Sequence, residues 1–210
     1  MRFNVSRNPL NIDFEAVIIA GFTGRDQQQV QAHVAELAAE GIIVPERIPS
    51  FYLAPPYLLS QADEIVTTHE RTSGEVEIAL IFDHGDIFVT TASDHTDRAA
   101  ETVDIAVSKI ACPKIIASEA WRIETVRANW DELLLRSWIS ENGNRVLYQE
   151  GTAGELLSPD DLLEMTPFKH RPNSFVLLTG TLPAIGGIRG SGQFWAELHD
   201  PLTKRTLHLD

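Results

Sequence analysis

Apolar and polar positions alternate most regularly over residues 74–94, where Gly-Glu-Val-Glu-Ile-Ala-Leu-Ile-Phe, Asp-His-Gly-Asp and Ile-Phe-Val-Thr-Thr-Ala-Ser-Asp follow one another. Two runs of β-branched and aromatic residues around a turn at His84 and Gly85 predict a β-hairpin. Glu75 and Glu77 are two residues apart and so share one face of the first strand. A two-residue loop pairs Asp83 with Asp86, and the same register puts Asp94 across from Glu75. Like charges opposite one another on a sheet repel. The three acids therefore have two readings: a solvated outer face, the common setting for acids on a strand, or a site for a hard divalent cation, which takes oxygen ligands.

Elsewhere the pattern is plainer. Residues 14–20 form a short apolar run expected as a buried strand. Residues 25–40 carry helical spacing, with Val30, Val34, Leu37 and Ala38 on one face and Gly41 as the stop. His33, at the shoulder of that face, reaches Glu36 at i+3. The pair is either an ordinary exposed one or an imidazole oriented by a carboxylate for proton transfer. Residues 51–54, ahead of Pro55-Pro56, and residues 63–68 are further strand candidates. Residues 94–109 look helical, with Asp94 or Thr96 as the cap and Ala99, Val103, Ala106 and Ile110 on one side. Trp121, Trp130 and Trp138 lie among leucines and are expected in the core.

Glu141-Asn-Gly-Asn144 marks a second hairpin, and Ser158-Pro159 opens a short helix through Met165. Strands are expected at 174–178, 194–198 and 205–209, with a loop over 179–187. The glycines between 186 and 192 lack the strand-to-helix setting of a dinucleotide fingerprint. Strands outnumber helices, which predicts an α+β fold dominated by mixed sheet.

Composition narrows the function classes. At 210 residues the chain suits one domain spanning 1–210. Its net charge is −13, and its 17 Lys and Arg residues are scattered, so no basic stripe is available to neutralise nucleic-acid phosphates. The same acidity disfavours an anionic membrane surface, and no apolar run approaches the roughly 20 residues of a spanning helix. The first residues, Met-Arg-Phe-Asn-Val-Ser-Arg-Asn-Pro, lack the apolar centre of a signal peptide. One cysteine, Cys112, makes neither an internal disulfide nor a thiolate cluster. A soluble cytoplasmic protein is the expectation.

The order of these segments resembles the fumarylacetoacetate hydrolase superfamily from about Val17 to the C-terminus. The carriers are His33-Val-Ala-Glu36, Phe51 to Pro56, Glu75-Val-Glu77, Asp94-His-Thr-Asp-Arg98, Lys109 with Cys112-Pro113, and Thr179-Gly180-Thr181. The resemblance implies a mixed β-sandwich or β-roll of the fumarylacetoacetase C-terminal domain type with a few peripheral helices, usually a homodimer. It implies Mg²⁺ or Mn²⁺, with Ca²⁺ able to stand in within crystals, on Glu75, Glu77 and Asp94. His33 with Glu36 would serve as the base on a lid helix, Lys109 as a catalytic cation, and Arg98, Gly180 and Thr181 as contacts to a small-molecule carboxylate. The implied reaction is hydrolysis of a carbon–carbon bond in an acylpyruvate-like 2-oxo or 1,3-dicarbonyl acid through a metal-bound enolate. The alternatives are a decarboxylase or hydratase/isomerase of 2-oxo acids, and a ligand-binding relic without turnover. The chain departs from the family pattern at Ala54, Ala99, Glu101, Leu182 and Ala184, and in the extra residues between Arg25 and His33. The substituted positions are substrate contacts, and the three acids are unchanged.

Overall fold

The computed structural model describes residues 1–39, 41, 43–67, 69–167 and 171–210. The hairpin at its centre joins Val76–Asp83 to Asp86–Asp94 in the expected register, with Asp83 opposite Asp86 and Val76 opposite Ser93. His84 and Gly85 both take positive φ, 48° and 95°, the conformation whose twist suits a two-residue hairpin turn. Antiparallel to the first of these strands runs Ser174–Thr181, which in turn lies parallel to Ala16–Gly21, and Ser50–Ala54 forms that edge. On the other side Glu119–Arg122, Arg2–Val5 and Asn8–Asn11 follow, and Lys114–Ile116 and Leu59–Ser60 branch off Asp86–Asp94, giving a mixed ten-stranded sheet among the described residues.

A second, antiparallel sheet of four strands is ordered Asn144–Thr152, Leu134–Glu141, Phe194–Asp200 and Arg205–Leu209. The architecture is α+β and mostly sheet. Period-two alternation then divides the central strands between two cores. Val76, Ile78, Leu80 and Phe82 face the four-stranded sheet and pack with Leu135, Leu198, Leu207 and Trp130. Ala79, Ile81, Ala92, Val176 and Leu178 pack on the opposite side with Phe3, Val5, Ile12, Val17 and Ala54. Glu77 and Asp94 belong, by parity, to this second face.

Several expectations are corrected. Residues 94–109 do not form one helix. Asp94 ends a strand, Thr96–Asp97 pairs with Thr72–Ser73, and the helices are Arg98–Glu101 and Ile105–Ile110. Asp97 caps the first through the Ala99 and Ala100 N–H groups, and Asp104 caps the second through Val107 N–H. Two cap-competent aspartates seven residues apart restart the helix, and they leave Val103 exposed rather than on a core face. Residues 63–67 form no strand, since Val66 is fully open to solvent and only Ile65 reaches the core; Thr68 lies outside the described residues. The first helix spans Gln27–Ala39 with Asp26 Oδ1 accepting from Gln28 and Gln29 N–H, and Glu40 lies outside the described residues. The strand expected to end at Leu178 continues through Thr181. No helix among the described residues is long and apolar enough to cross a membrane.

Candidate functional site

The hairpin register delivers the three acids to one place. Asp94 N–H donates to Glu75 O at 3.0 Å, and Glu75, Glu77 and Asp94 each present a carboxylate oxygen within 4.8 Å of those of the other two. All three are buried. The solvated-face reading is therefore excluded, and the close approach of three acids has to be offset by cations.

Among the described residues three cations do so. Lys109, in the last turn of Ile105–Ile110, places Nζ 2.5 Å from Asp94 Oδ2 and 3.2 Å from Glu75 Oε2, with Thr96 Oγ1 at 3.3 Å. Lys114, at the start of Lys114–Ile116, is fully buried and places Nζ 2.6 Å from Asp94 Oδ1 and 2.5 Å from the His95 carbonyl. Arg98 meets Glu75 Oε1 at 2.8 Å, Ser73 Oγ at 2.7 Å and Glu101 at 2.8 Å. Sequence reading missed Lys114. Its one signal is a lysine opening an apolar Lys-Ile-Ile strand directly after Cys112-Pro113.

The electrostatic consequences differ among the acids. Burial alone would raise the Glu75 carboxyl, but Lys109 and Arg98 overcome it and hold the group down at about 2. Among the described residues Glu77 forms no ion pair, and the more distant Lys109 charge only partly offsets its burial. Its Oε2 accepts the Gly180 N–H at 2.8 Å, and burial, reinforced by Asp94, pushes its carboxyl well above the ordinary value. The Lys109 ammonium is lowered by burial but raised more strongly by Asp94, Glu75 and Glu77, so it stays charged. His95, with Nδ1 3.1 Å from Ser93 Oγ and its ring edge-on to Phe194, is pushed down to about 4 by burial and by Lys114, and is neutral near pH 7. The Tyr52 phenol is raised by burial and feels the charge of Lys109.

The remaining sequence candidates are placed as follows. Gly180 takes φ 94° and commits its N–H to Glu77, while Thr181 Oγ1 donates to Val76 O at 2.7 Å and accepts from Gln149 Nε2 at 2.8 Å. Gln149, also missed, is buried and fully bonded: its Oε1 accepts from Val76 N–H and Ser137, and its Nε2 reaches Leu182 O. It braces the backbone between the two glutamates against the strand that carries Gly180. His33 and Glu36 lie on the exposed side of their helix, 60% and 75% accessible with Nδ1 3.8 Å from Oε2. Among the described residues no hydrogen bond or ion pair joins them to the carboxylates. The His33 ring stands 6.1 Å from that of Phe22, and the adjacent Thr23 is buried against Gly180. The helix is thus anchored beside the segment that touches Glu77.

Gly180 is a close-approach position. A Cβ there would collide with the Thr23 side chain, and the positive φ is strained for other residues. Gly180→Ala is expected to cost about 1–3 kcal/mol, read as a lowered melting temperature in chelator-treated protein. An unchanged melting temperature would show that the Thr23 contact is slack.

The donor set fits a hard divalent ion: three convergent carboxylates on two adjacent strand ends, with oxygen atoms only. The model of the family described as protein of unknown function (DUF2848) matches residues 20–210. No curated protein matches the chain in sequence. Among solved structures, 2-keto-3-deoxy-D-arabinonate dehydratase complexed with magnesium and 2,5-dioxopentanoate is 18% identical and aligns over 94% of this chain and 72% of its own, at a TM-score of 0.67. 5-Carboxymethyl-2-hydroxymuconate delta-isomerase from Mycobacterium smegmatis is 19% identical over 93% and 77%, at 0.64. A protein provisionally designated a fumarylacetoacetate isomerase/hydrolase, from Oleispira antarctica, is 19% identical over 98% and 97%, at 0.65. At these identities the likeness is one of fold, and the fold is that of fumarylacetoacetate hydrolase superfamily structures.

Proposed function

Because the chain belongs to the family described as protein of unknown function (DUF2848), and shares the fold of the superfamily its sequence resembles, we propose that it is a divalent-metal-dependent enzyme of small 2-oxo or 1,3-dicarbonyl acids. Its reaction on this reading is hydrolysis of a carbon–carbon bond in an acylpyruvate-like substrate. The observation that carries the proposal is the buried convergence of Glu75, Glu77 and Asp94, in a fold shared with an enzyme structure that holds magnesium and 2,5-dioxopentanoate. The reading includes one domain over 1–210, a mixed β-sandwich or β-roll of the fumarylacetoacetase C-terminal domain type, and a cytoplasmic homodimer.

Glu75, Glu77 and Asp94 would hold Mg²⁺ or Mn²⁺, which when bound supplies Lewis-acid polarisation of a carbonyl and local positive charge in an acidic protein. Around it the chain's own groups divide the work. Lys109, kept charged by its carboxylate neighbours, attracts and orients the substrate carboxylate, and Arg98 holds Glu75 in place. His33, oriented by Glu36 when the helix closes over the site, takes a proton from the attacking water. The water oxygen bonds to the carbonyl carbon, the adjacent carbon–carbon bond breaks, and its electron pair leaves as an enolate that is protonated on carbon. The Gly180 and Thr181 segment touches the acid cluster through the Gly180 N–H on Glu77 and would contact the substrate carboxylate.

A second reading is favoured by particular neighbours: a dehydratase and an isomerase share this fold, so hydration, decarboxylation or isomerisation of a 2-oxo acid could run on the same residues. The ligand-binding relic is the reading left if turnover fails. A panel of acylpyruvates, oxaloacetate and 2-oxo-enoic acids assayed with Mn²⁺ separates these outcomes by product identity, and no product from any member would overturn the enzyme. His33→Ala is expected to keep Mn²⁺ binding and lower kcat by about 10²–10⁴ fold; unchanged kcat would remove His33 as the base.

A further inference from the structure

The carboxylate oxygens of the cluster are shared out unequally. Asp94 Oδ1 forms an ion pair with Lys114, whose hydrogen bond goes to the His95 carbonyl, and Glu75 Oε1 forms an ion pair with Arg98, whose hydrogen bonds go to Ser73 and Glu101; neither oxygen is hydrogen-bonded by its cation. Both cations are thus fixed by neutral or outlying groups as well as by the acids. The second oxygens of these two acids, Asp94 Oδ2 and Glu75 Oε2, meet one cation among the described residues, the Lys109 ammonium, at 2.5 and 3.2 Å, while Glu77 Oε2 accepts the Gly180 N–H. Among the described residues the one further hydrogen-bond partner of Lys109 Nζ is Thr96 Oγ1 at 3.3 Å. It sits at the end of a six-residue helix whose Val107 and Ile110 are exposed, and its stem has four flexible methylenes.

We propose that the Lys109 ammonium and a divalent cation compete for Asp94 Oδ2 and Glu75 Oε2, so that Lys109 serves as an internal counter-ion which the metal displaces toward the substrate. This rests on the reading of the three acids as a metal site. A hard ion needs those oxygens at about 2.0–2.5 Å, and two positive centres cannot share the same pair. The fixed cations stay: Lys114 and Arg98 keep Oδ1 and Oε1 and hold both carboxylates in place while the occupant of Oδ2 and Oε2 changes. The exchange couples ion binding to delivery of a lysine. A substrate carboxylate then meets a free ammonium only when the ion is present, which sets the order of binding as metal first.

Isothermal titration of Mn²⁺ into chelator-treated wild type and Lys109→Met tests this, with melting curves showing that the variant is folded. The expected result is a Kd at least about tenfold lower in Lys109→Met, because the competing charge is gone. A wild type that binds Mn²⁺ and a variant that binds it no tighter would overturn the exchange alone, whereas no Mn²⁺ binding by either protein would overturn the metal reading beneath it. A second measurement needs no variant to fold well: the ¹H–¹⁵N spectrum of lysine ammonium groups titrated with Mg²⁺. The Lys109 signal is expected to shift or vanish while the Lys114 signal persists, and a Lys109 signal unmoved at saturating Mg²⁺ would refute the displacement.

Discussion

Asp94→Ala is expected to lower the melting temperature of chelator-treated protein by about 10 °C. Asp94 is fully buried and is the shared partner of two lysines, at 2.5 Å for Lys109 and 2.6 Å for Lys114. Removing one member of a buried ion pair costs about 3–5 kcal/mol, because the remaining charge stays desolvated without its partner. In a chain of this size each kcal/mol moves the midpoint by about 2–4 °C. Lys109 retains Glu75 and has a route to solvent. Among the described residues Lys114 retains only the His95 carbonyl, and none of its side chain is exposed, so most of the loss falls on Lys114. The double variant Asp94→Ala with Lys114→Met should therefore recover several degrees, since an apolar replacement of both partners avoids the stranded charge. Calorimetry with a drop of less than about 3 °C for Asp94→Ala, or no recovery in the double variant, would show that Lys114 is not carried by Asp94.

The parts of this molecule that were legible in its sequence are those specified locally. The central hairpin was readable because alternation, a His-Gly turn and β-branched composition agree, and its register alone brought Glu75 opposite Asp94. The Asn142-Gly143 turn and the Ser158 cap were readable for the same reason, and both are found. The N-terminal hairpin of Arg2–Val5 and Asn8–Asn11 was not, because its turn uses Ser6 and Arg7 at φ 51° and 71°, residues that give no turn signal. Its second strand contains Pro9, tolerated there because the strand is an outer edge of the sheet. The break in residues 94–109 was hidden because the apolar spacing runs on through Val103, while the decision is made by the side chains of Asp97 and Asp104 on backbone N–H groups.

Legibility of the site follows the same division. Two of the acids are two residues apart and the third is fixed by a short hairpin, so pattern reading found all three. Lys114 reaches the cluster from a three-residue strand, and Gln149 reaches the Val76 backbone between the two glutamates from the other sheet, and no local pattern encodes either approach. Arg98, Gly180 and Thr181 were singled out as substrate contacts on resemblance. In the structure their polar atoms are already engaged with Glu75, Glu77 and Val76 O, which makes them part of the frame around the acids. Of the departures from the family pattern, Ala54 and Leu182 are filled into the two apolar cores and Glu101 is paired with Arg98. Ala54 and Leu182 thus have a packing role in this chain, and Glu101 an electrostatic one.

Glu77→Gln separates ion binding from ion-free stability, and the two effects have opposite signs. With Mn²⁺ at about a hundred times Kd, wild type gains roughly 2.7 kcal/mol by mass action, or about 5–10 °C, and the variant, with two carboxylates left, is expected to gain almost none. Without ion, burial and Asp94 hold the Glu77 carboxyl well above its ordinary 4.5. A raised folded value means that the native state keeps a proton which the unfolded chain gives up. Stability is therefore full below pH 4.5 and is lost as pH rises toward the folded value. Glutamine mimics the protonated acid and still offers an oxygen to the Gly180 N–H. The chelator-treated variant should match wild type near pH 4 and exceed it at pH 8. Glu75, held at about 2, contributes a slope of the other sign below pH 4.5, but in both proteins, so the difference between them is unaffected. Melting curves at the two pH values, with chelator and with Mn²⁺, give all four quantities. A variant that keeps more than about a quarter of the Mn²⁺ shift would remove Glu77 from the ligand set, and one that loses stability at pH 8 would show that its carboxyl is ionised in the ion-free protein.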